Sequence, residues 1–404
     1  MKKLFVFILA VATAFSCSKE LGGEITPINV PSSTTLSGNI TVTTTLTADK
    51  EWTLKGYVYV ADGATLIIQP GTVIKSDISE KGALCIERGA KIQAEGTAAK
   101  PIIFTSGRPV GERSPGDWGG IVILGRAKTN RTSEPTIEGG IGRAYGGSDN
   151  EDNSGVMKYV RIEYAGIAAL PNSEINALTF GGVGSKTIIE HVQTIYANDD
   201  AFEFFGGTVS PKYLYAYATA DDDYDFDFGY TGKVSFSISR RDPQFVDTGD
   251  AGNGIECDND GTGSMAIPIT RPVLDNMTLI GPNDAAALSN HNLAMRWRRA
   301  TRFEVTNSTF IGYMKGGFSL ESNETAQAYK DGGSVFKNNK IGTFTANNAS
   351  NFISRATSII NSADVKTKAL AEGNTEIESS NTEILKLEKP SWTTGWTRFP
   401  TKGN

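Results

Sequence analysis

The sequence predicts an all-β fold, a parallel β-helix over residues 36–342 closed by a C-terminal capping segment, residues 343–404. Three observations predict it. Phe202 and Phe204 flank Glu203, Phe226 and Phe228 flank Asp227 24 residues later, and Leu178 and Phe180 flank Thr179 24 residues earlier. Apolar residues at i and i+2 around a polar one describe a strand with one buried face, and a fixed period in the twenties makes each strand one rung of a stack. Secondly, GATLIIQPGT (63–72) and GAKIQAEGT (89–97) put Gly-containing turns about 25 residues apart, as two successive rungs would. Thirdly, a chain of 404 residues exceeds one ordinary core, and its 44 glycines, 19 phenylalanines and 13 tyrosines suit strands and turns better than long helices.

At the start of the chain, Lys2 and Lys3 precede the apolar run Leu4 to Phe15. That run is too short to span a bilayer and has the length of a signal-peptide core. Ser16-Cys17 follows at once, so residues 1–17 read as a lipoprotein signal peptide, with Cys17 lipidated and anchoring the protein to a membrane. A plain cleaved signal peptide is the alternative, because Ala14 and Phe15 fit the processing site loosely. Ser18-Lys19-Glu20 resembles the short charged tag that sends some lipoproteins to the outer face of the outer membrane, which gives the expected location at the cell surface. Residues 18–35 are polar with Pro and Gly and read as a flexible tether.

The rungs begin with GYVYVADGATLIIQPGTVIK (56–75) and LCIERGAKIQAEGTA (84–98), and continue through Ile102 to Ser106 and Trp118 to Leu124. A Gly- and Asn-rich stretch, residues 127–155, then makes a long excursion of the kind that carries binding surfaces. VRIEYA (160–165) resumes the rungs. Downstream of the phenylalanine pairs, Ile255 and Cys257 flank Glu256, Leu293 and Met295 flank Ala294, and Phe318 and Leu320 flank Ser319. The unequal gaps place insertions near 240–253 and 260–290. NMTLIG (276–281) and NSTFIG (307–312), with NKIG (339–342) as a weaker copy, predict a ladder of stacked asparagine amides at one turn. Cys85 and Cys257 lie too many rungs apart to pair and read as buried small hydrophobes. The tail from 343, ending in Trp392-Thr-Thr-Gly-Trp396, reads as a cap over the open sheet edge.

The net charge of −6 leaves no basic footprint for nucleic acid, and the only histidines, His191 and His291, read as structural. Acids dominate the chemistry. If the apolar ladder points inward, Thr179, Glu203, Asp227, Glu256, Ala294 and Ser319 point outward on one face. Rungs about 4.8 Å apart then stack Glu203, Asp227 and Glu256 into a column that a cation, a retained proton or a covering arginine must neutralise. Asp199, Asp200, Asp221 to Asp223, Asp225, Asp258 and Asp260 surround it, and of these Asp199, Asp200, Asp223, Asp225 and Asp258 form with Glu203, Asp227 and Glu256 a candidate calcium site, since calcium takes six to eight oxygens. The competing reading is that Asp and Asn make turns here. Asp258-Asn-Asp260-Gly261 lacks the rest of an EF-hand loop. Arg240, Arg241 and Arg296 are the basic candidates, as proton acceptors in a β-elimination, as readers of an acidic sugar, or as members of an ion-pair network. Arg296, Glu203, Asp227, Glu256, Tyr213 and Tyr215 make up the candidate ligand surface, the tyrosines as stacking platforms for sugar rings. Tyr213, Tyr215 and Tyr217 are equally ordinary sheet residues.

DGATLIIQPGTVI (62–74), DWGGIVILG (117–125), VRIEYAG (160–166), NDDAFEFFGGTV (198–209), DDDYDFDFGYTGK (221–233) and the closing WTTGW (392–396) resemble a family of bacterial secreted and lipoprotein right-handed parallel β-helices of the pectin-lyase-like superfold. The resemblance covers most of the chain and implies no established activity. The superfold also hosts pectate lyases and polygalacturonases, but the polygalacturonase Gly-His-Gly and the Arg-x-Lys beside an Asp pair are missing, so hydrolysis by two carboxylates is not expected. Three readings follow: non-enzymatic binding of a glycan or another surface component beside an outer-membrane uptake partner, calcium-dependent polysaccharide lysis, or a structural adhesin.

Overall fold

The computed structural model describes residues 29–170, 173–249 and 251–404; the leader 1–17, Cys17 and the first part of the 18–35 segment lie outside them. Nearly all strands join one 28-stranded sheet with parallel pairing throughout its ladders. The sheet coils into three faces. On the first, Leu178–Gly181, Phe202–Phe205, Tyr224–Asp227, Ile255–Cys257, Leu293–Trp297 and Gly316–Leu320 follow one another. The second runs from Thr44–Leu46 to Val335–Lys337. On the third, Ile238–Arg240, Thr278–Ile280, Thr309–Ile311 and Lys340–Gly342 are consecutive rungs. The chain is a parallel β-helix, as its repeats predict, and no helix of the described residues is long and apolar enough to cross a membrane.

Alternation along each strand fills the lumen. Phe180, Phe204 and Phe226 stack with ring centroids 4.9 Å apart at each step, and Phe202 stacks on Tyr224 at 5.4 Å. Each fully buried ring contributes about 2–3 kcal/mol of hydrophobic stabilisation, and the rung spacing suits offset stacking. Cys257 takes an inward position opposite Phe226, while Cys85 lies under the excursion; both thiols are free, and burial pushes the Cys85 thiol up to about 12.

The register differs from the sequence expectation by two residues at two rungs. Tyr224 and Phe226, not Phe226 and Phe228, lie opposite Phe202 and Phe204. Met295 and Trp297, not Leu293 and Met295, lie opposite Ile255 and Cys257. A slip of two keeps every side chain on its own face, so the apolar pattern carried no signal of it. The outward column is therefore Thr179, Glu203, Asp225, Glu256, Arg296 and Ser319.

One residue per coil turns the corner between the second and third faces in the left-handed region: Tyr159, His191, Tyr213 and Phe236, then Asn276, Asn307 and Asn338. Bulky residues seldom hold that conformation. Here ring stacking offsets the strain, with centroids 4.4, 4.5 and 5.5 Å apart along the four rings. The asparagine repeats mark this corner, but the amide ladder sits one residue further on. Ser308 donates its N–H to Asn339 Oδ1 at 2.9 Å, and Asn339 donates from Nδ2 to Asn374 Oδ1 at 2.9 Å.

Two segments leave the coil. The excursion lays Ile137, Ile141 and Tyr145 over Cys85, Val122, Leu124 and Phe205 on the outside of the first face. Tyr57 donates its hydroxyl to the Gly139 carbonyl at 2.9 Å, and Asn130 donates to the Asn259 carbonyl at 2.6 Å. In the tail, Phe352–Ser354 and Thr375–Glu376 still extend the ladders, and the helix Ser362–Ala371 buries Val365 and Ala369 against the last coil. After the helix Asn381–Leu387 the chain runs back along the third face. There the Glu388 carbonyl accepts from Tyr215, that of Trp396 from Arg161, that of Arg398 from Gln193 and that of Asn404 from Tyr164.

Candidate functional site

The site grows from the corner that leads into the first face. Successive coils place Asp200, Asp222, Asn253 and Asn292 there as a side-chain ladder. Asp200 Oδ1 accepts the Asp222 N–H at 2.8 Å, Asp222 Oδ1 accepts Asn253 Nδ2 at 2.8 Å, and Asn253 Oδ1 accepts Asn292 Nδ2 at 2.8 Å. A neutral amide serves this role at two positions, whereas a carboxyl occupies the other two. Just inside the face, Glu203 and Asp225 lie directly opposite each other, and Asn176 donates to Glu203.

Carboxylate oxygens of Asp199, Asp200 and Asp221 lie within 4.8 Å of one another, as do those of Asp200, Glu203 and Asp225. Asp200 belongs to both groups. Among the described residues, no lysine or arginine reaches ion-pair distance of Asp199, Asp200, Glu203 or Asp225. Asp225 Oδ1 is buried without a hydrogen-bond partner. Burial, reinforced by the Glu138 and Glu174 charges, pushes Asp199 up to about 8. Burial and the Asp221 charge push Asp222 to about 8. Asp200, Glu203 and Asp225 rise well above the usual carboxylate range, first by desolvation and then through neighbouring acids.

Two rungs further on, the column is compensated. Arg296 pairs with Glu256 at 2.8 Å and with Glu321 at 3.2 Å, Arg298 pairs with Glu256 and, at 2.8 Å, with Asp258, and Arg299 pairs with Asp258 at 2.6 Å. Burial and the Asp222 charge raise the Glu256 carboxyl to about 8, and Arg298 and Arg296 offset them only in part. Asp258 and Glu256 hold the Arg298 guanidinium firmly protonated against its own burial.

The candidates named from sequence thus divide. Asp199, Asp200, Glu203 and Asp225 converge, while Glu256 and Asp258 belong to the arginine network. Asp227 lies opposite Phe205, outside the column expected for it, and accepts the Phe228 N–H at 2.7 Å. Asp223 leaves the cluster altogether: it pairs at 3.1 Å with Arg241, whose side chain is fully buried and also donates to the carbonyls of Thr219, Ala220, Asp221 and Asn253. That burial removes Arg241 as a base. Arg240 sits on the third face against Glu388, and Arg296 is held between two carboxylates, so neither offers a free proton acceptor to the acids.

Tyr213 and Tyr215 form no open platform. Tyr215 is fully buried beneath Glu388 and Phe399, and Tyr213 packs between His191, Phe236 and Trp392. Asp221 and Asp222, which the sequence places with Asp223 at the turn beside the column, lie with the cluster, whereas Asn176 and Glu138 carried no signal in the sequence. The run Asp221-Asp222-Asp223 was the available signal, but a register one coil long was needed to tell which of the three faces which partner.

A family model described as a pectate-lyase-like beta helix domain matches residues 38–397. The chain belongs to that family. No curated protein and no solved structure matches it significantly. Membership in the pectate-lyase-like beta helix family accounts for the coil and leaves the acid cluster to be explained from its own residues.

Proposed function

We propose that this pectate-lyase-like β-helix is a glycan-binding protein of the cell surface, anchored in the outer membrane through lipidated Cys17, whose acid cluster holds a calcium ion. The observation that carries the reading is the orphaned, buried Asp225 Oδ1 beside Asp200 and Glu203, which no lysine or arginine of the described residues reaches at ion-pair distance. Such a set fits calcium by its chemistry: hard oxygen donors, several of them carboxylates, on a rigid sheet. Asp200, Glu203 and Asp225 would hold the ion, with Asp199 and Asp221 grouped on the other side of Asp200. Bound calcium would neutralise the acids and offer its remaining coordination positions to sugar hydroxyls or carboxylates. Asp222 and Asn253 position Asp200 through the corner ladder, and Asn176 orients Glu203.

Binding without cleavage is preferred because Arg240, Arg241 and Arg296 are each committed elsewhere. At the cell surface such a module would serve an outer-membrane uptake partner. The test is thermal unfolding with and without calcium, followed by a polysaccharide panel. Calcium at about 100 times its dissociation constant stabilises the fold by about 2.7 kcal/mol. An unchanged melting temperature sinks the calcium site. Binding to a polysaccharide without new ultraviolet absorbance supports the module, whereas the absorbance of an unsaturated uronide makes the protein a lyase.

A further inference from the structure

Next to the acid cluster, the excursion and the first face enclose a cavity of about 400 Å³ lined by Arg131, Glu134, Glu138, Tyr145, Phe205 and Phe228 among others. Its aromatic side is continuous: Phe205 stacks on Phe228 at 5.6 Å and meets Tyr145 at a tilt of 35° with centroids 6.0 Å apart. Tyr145 and Phe205 are buried, whereas Glu134 and Glu138 stand at the exposed surface. The Arg131 guanidinium lies 4.6 Å over the Phe228 ring, and among the described residues it makes no ion pair. Glu134 is engaged at 3.0 Å by Arg88. Among the described residues Glu138 makes no ion pair, desolvation and the Glu174 charge lift its carboxyl to about 7, and with Glu203 and Asp227 it bears electrostatically on Tyr145.

We propose that this cavity binds the ammonium-bearing ring of an amino sugar, and that Arg131 is the resident cation which the ligand displaces from Phe228. The inference rests on the glycan-binding reading and narrows it. Aromatic faces attract cations through their quadrupole, and the chain already demonstrates the preference by placing a guanidinium there. Glu134 is already paired with Arg88, so Glu138 is the carboxylate of the wall that faces Arg131; once Arg131 swings aside, Glu138 disfavours a uronide and favours a protonated amine. Arg131 is exposed on a loop, which lets it swing aside without disturbing a strand. An N-acetylated sugar has the same ring but no charge, and loses both the aromatic and the carboxylate attraction.

Calorimetric titration of the full chain in calcium-free buffer tests this with glucosamine oligomers, their N-acetylated counterparts and oligogalacturonides. The glucosamine form is expected to bind about 10-fold tighter than either, with an affinity that falls as salt rises. Arg131→Ala is expected to tighten that binding about 3-fold by removing the competitor, and Glu138→Gln to weaken it by a similar factor. If the acetylated or uronide oligomers bind as well as the amine, or if Arg131→Ala weakens binding, the amine subsite is wrong while the glycan-binding reading stands. If no oligomer binds, with calcium or without it, both fall.

Discussion

The outer column of the first face has two halves that share one pitch and one backbone. In the first half, Glu203 and Asp225 stand opposite each other beside Asp199, Asp200 and Asp222, with no arginine at ion-pair distance among the described residues. In the second, Glu256 and Asp258 are followed on the next rung by Arg296 and Arg298, which pair with both. The contrast teaches that the fold can neutralise stacked carboxylates with its own residues and does so where nothing else is required. Where it does not, burial must be answered by protons or by an external cation. The same logic separates Asp223, compensated by Arg241 inside the wall, from Asp222 beside it.

Breaking the compensated half should give the largest effect. Arg298→Met leaves Glu256 and Asp258 short of a partner, and urea unfolding is expected to show a loss of about 3 kcal/mol. The opposite sign is expected in the uncompensated half. Asp200→Asn combined with Asp222→Asn puts amides where Asn253 and Asn292 already continue the ladder. Calcium-free stability near neutral pH should then rise by about 1–2 kcal/mol and the response to calcium should vanish. A double variant that unfolds more easily than the parent would show that these acids stabilise the corner themselves.

The uncompensated half should also show a slope with pH. Asp199 and Asp222 have folded-state values raised from 3.8 to about 8. Between those values the folded state holds more protons than the unfolded chain, so calcium-free stability falls as pH rises through that window and is highest at its acid end. Melting curves at a series of pH values should show this decline in the parent, and a shallower one both in the Asp200→Asn, Asp222→Asn variant and with saturating calcium, where Glu256 still contributes.

The fold was legible because Phe-x-Phe spacing and the Gly turns report face and period directly. Register was not. Tyr224 and Phe226 are as apolar as Phe226 and Phe228, and a two-residue slip preserves alternation, so Asp227 stood in for Asp225 and Ala294 for Arg296 in the predicted column. For the site, the identity of the acid-rich segment could be read from Asn198 to Asp227, but its pairing could not. Which acids meet an arginine depends on contacts such as that of Asp223 with Arg241, made across the wall and invisible to periodicity. Tyr213 and Tyr215 alternate as exposed strand residues would, yet a segment more than 170 positions later covers Tyr215.

That returning segment sets the order in which the molecule can be completed. A solenoid touches mainly its neighbours, so its coils can assemble one after another as the chain emerges. The carbonyls of Trp396, Arg398 and Asn404 instead bond to Arg161, Gln193 and Tyr164, across separations of 235, 205 and 240 residues. Closing loops of that length is entropically costly and must follow the formation of the coils that receive them. Residues 388–404 therefore act as a late clasp on the middle of the stack. A chain still being synthesised would hold its coils but not the fastening over them.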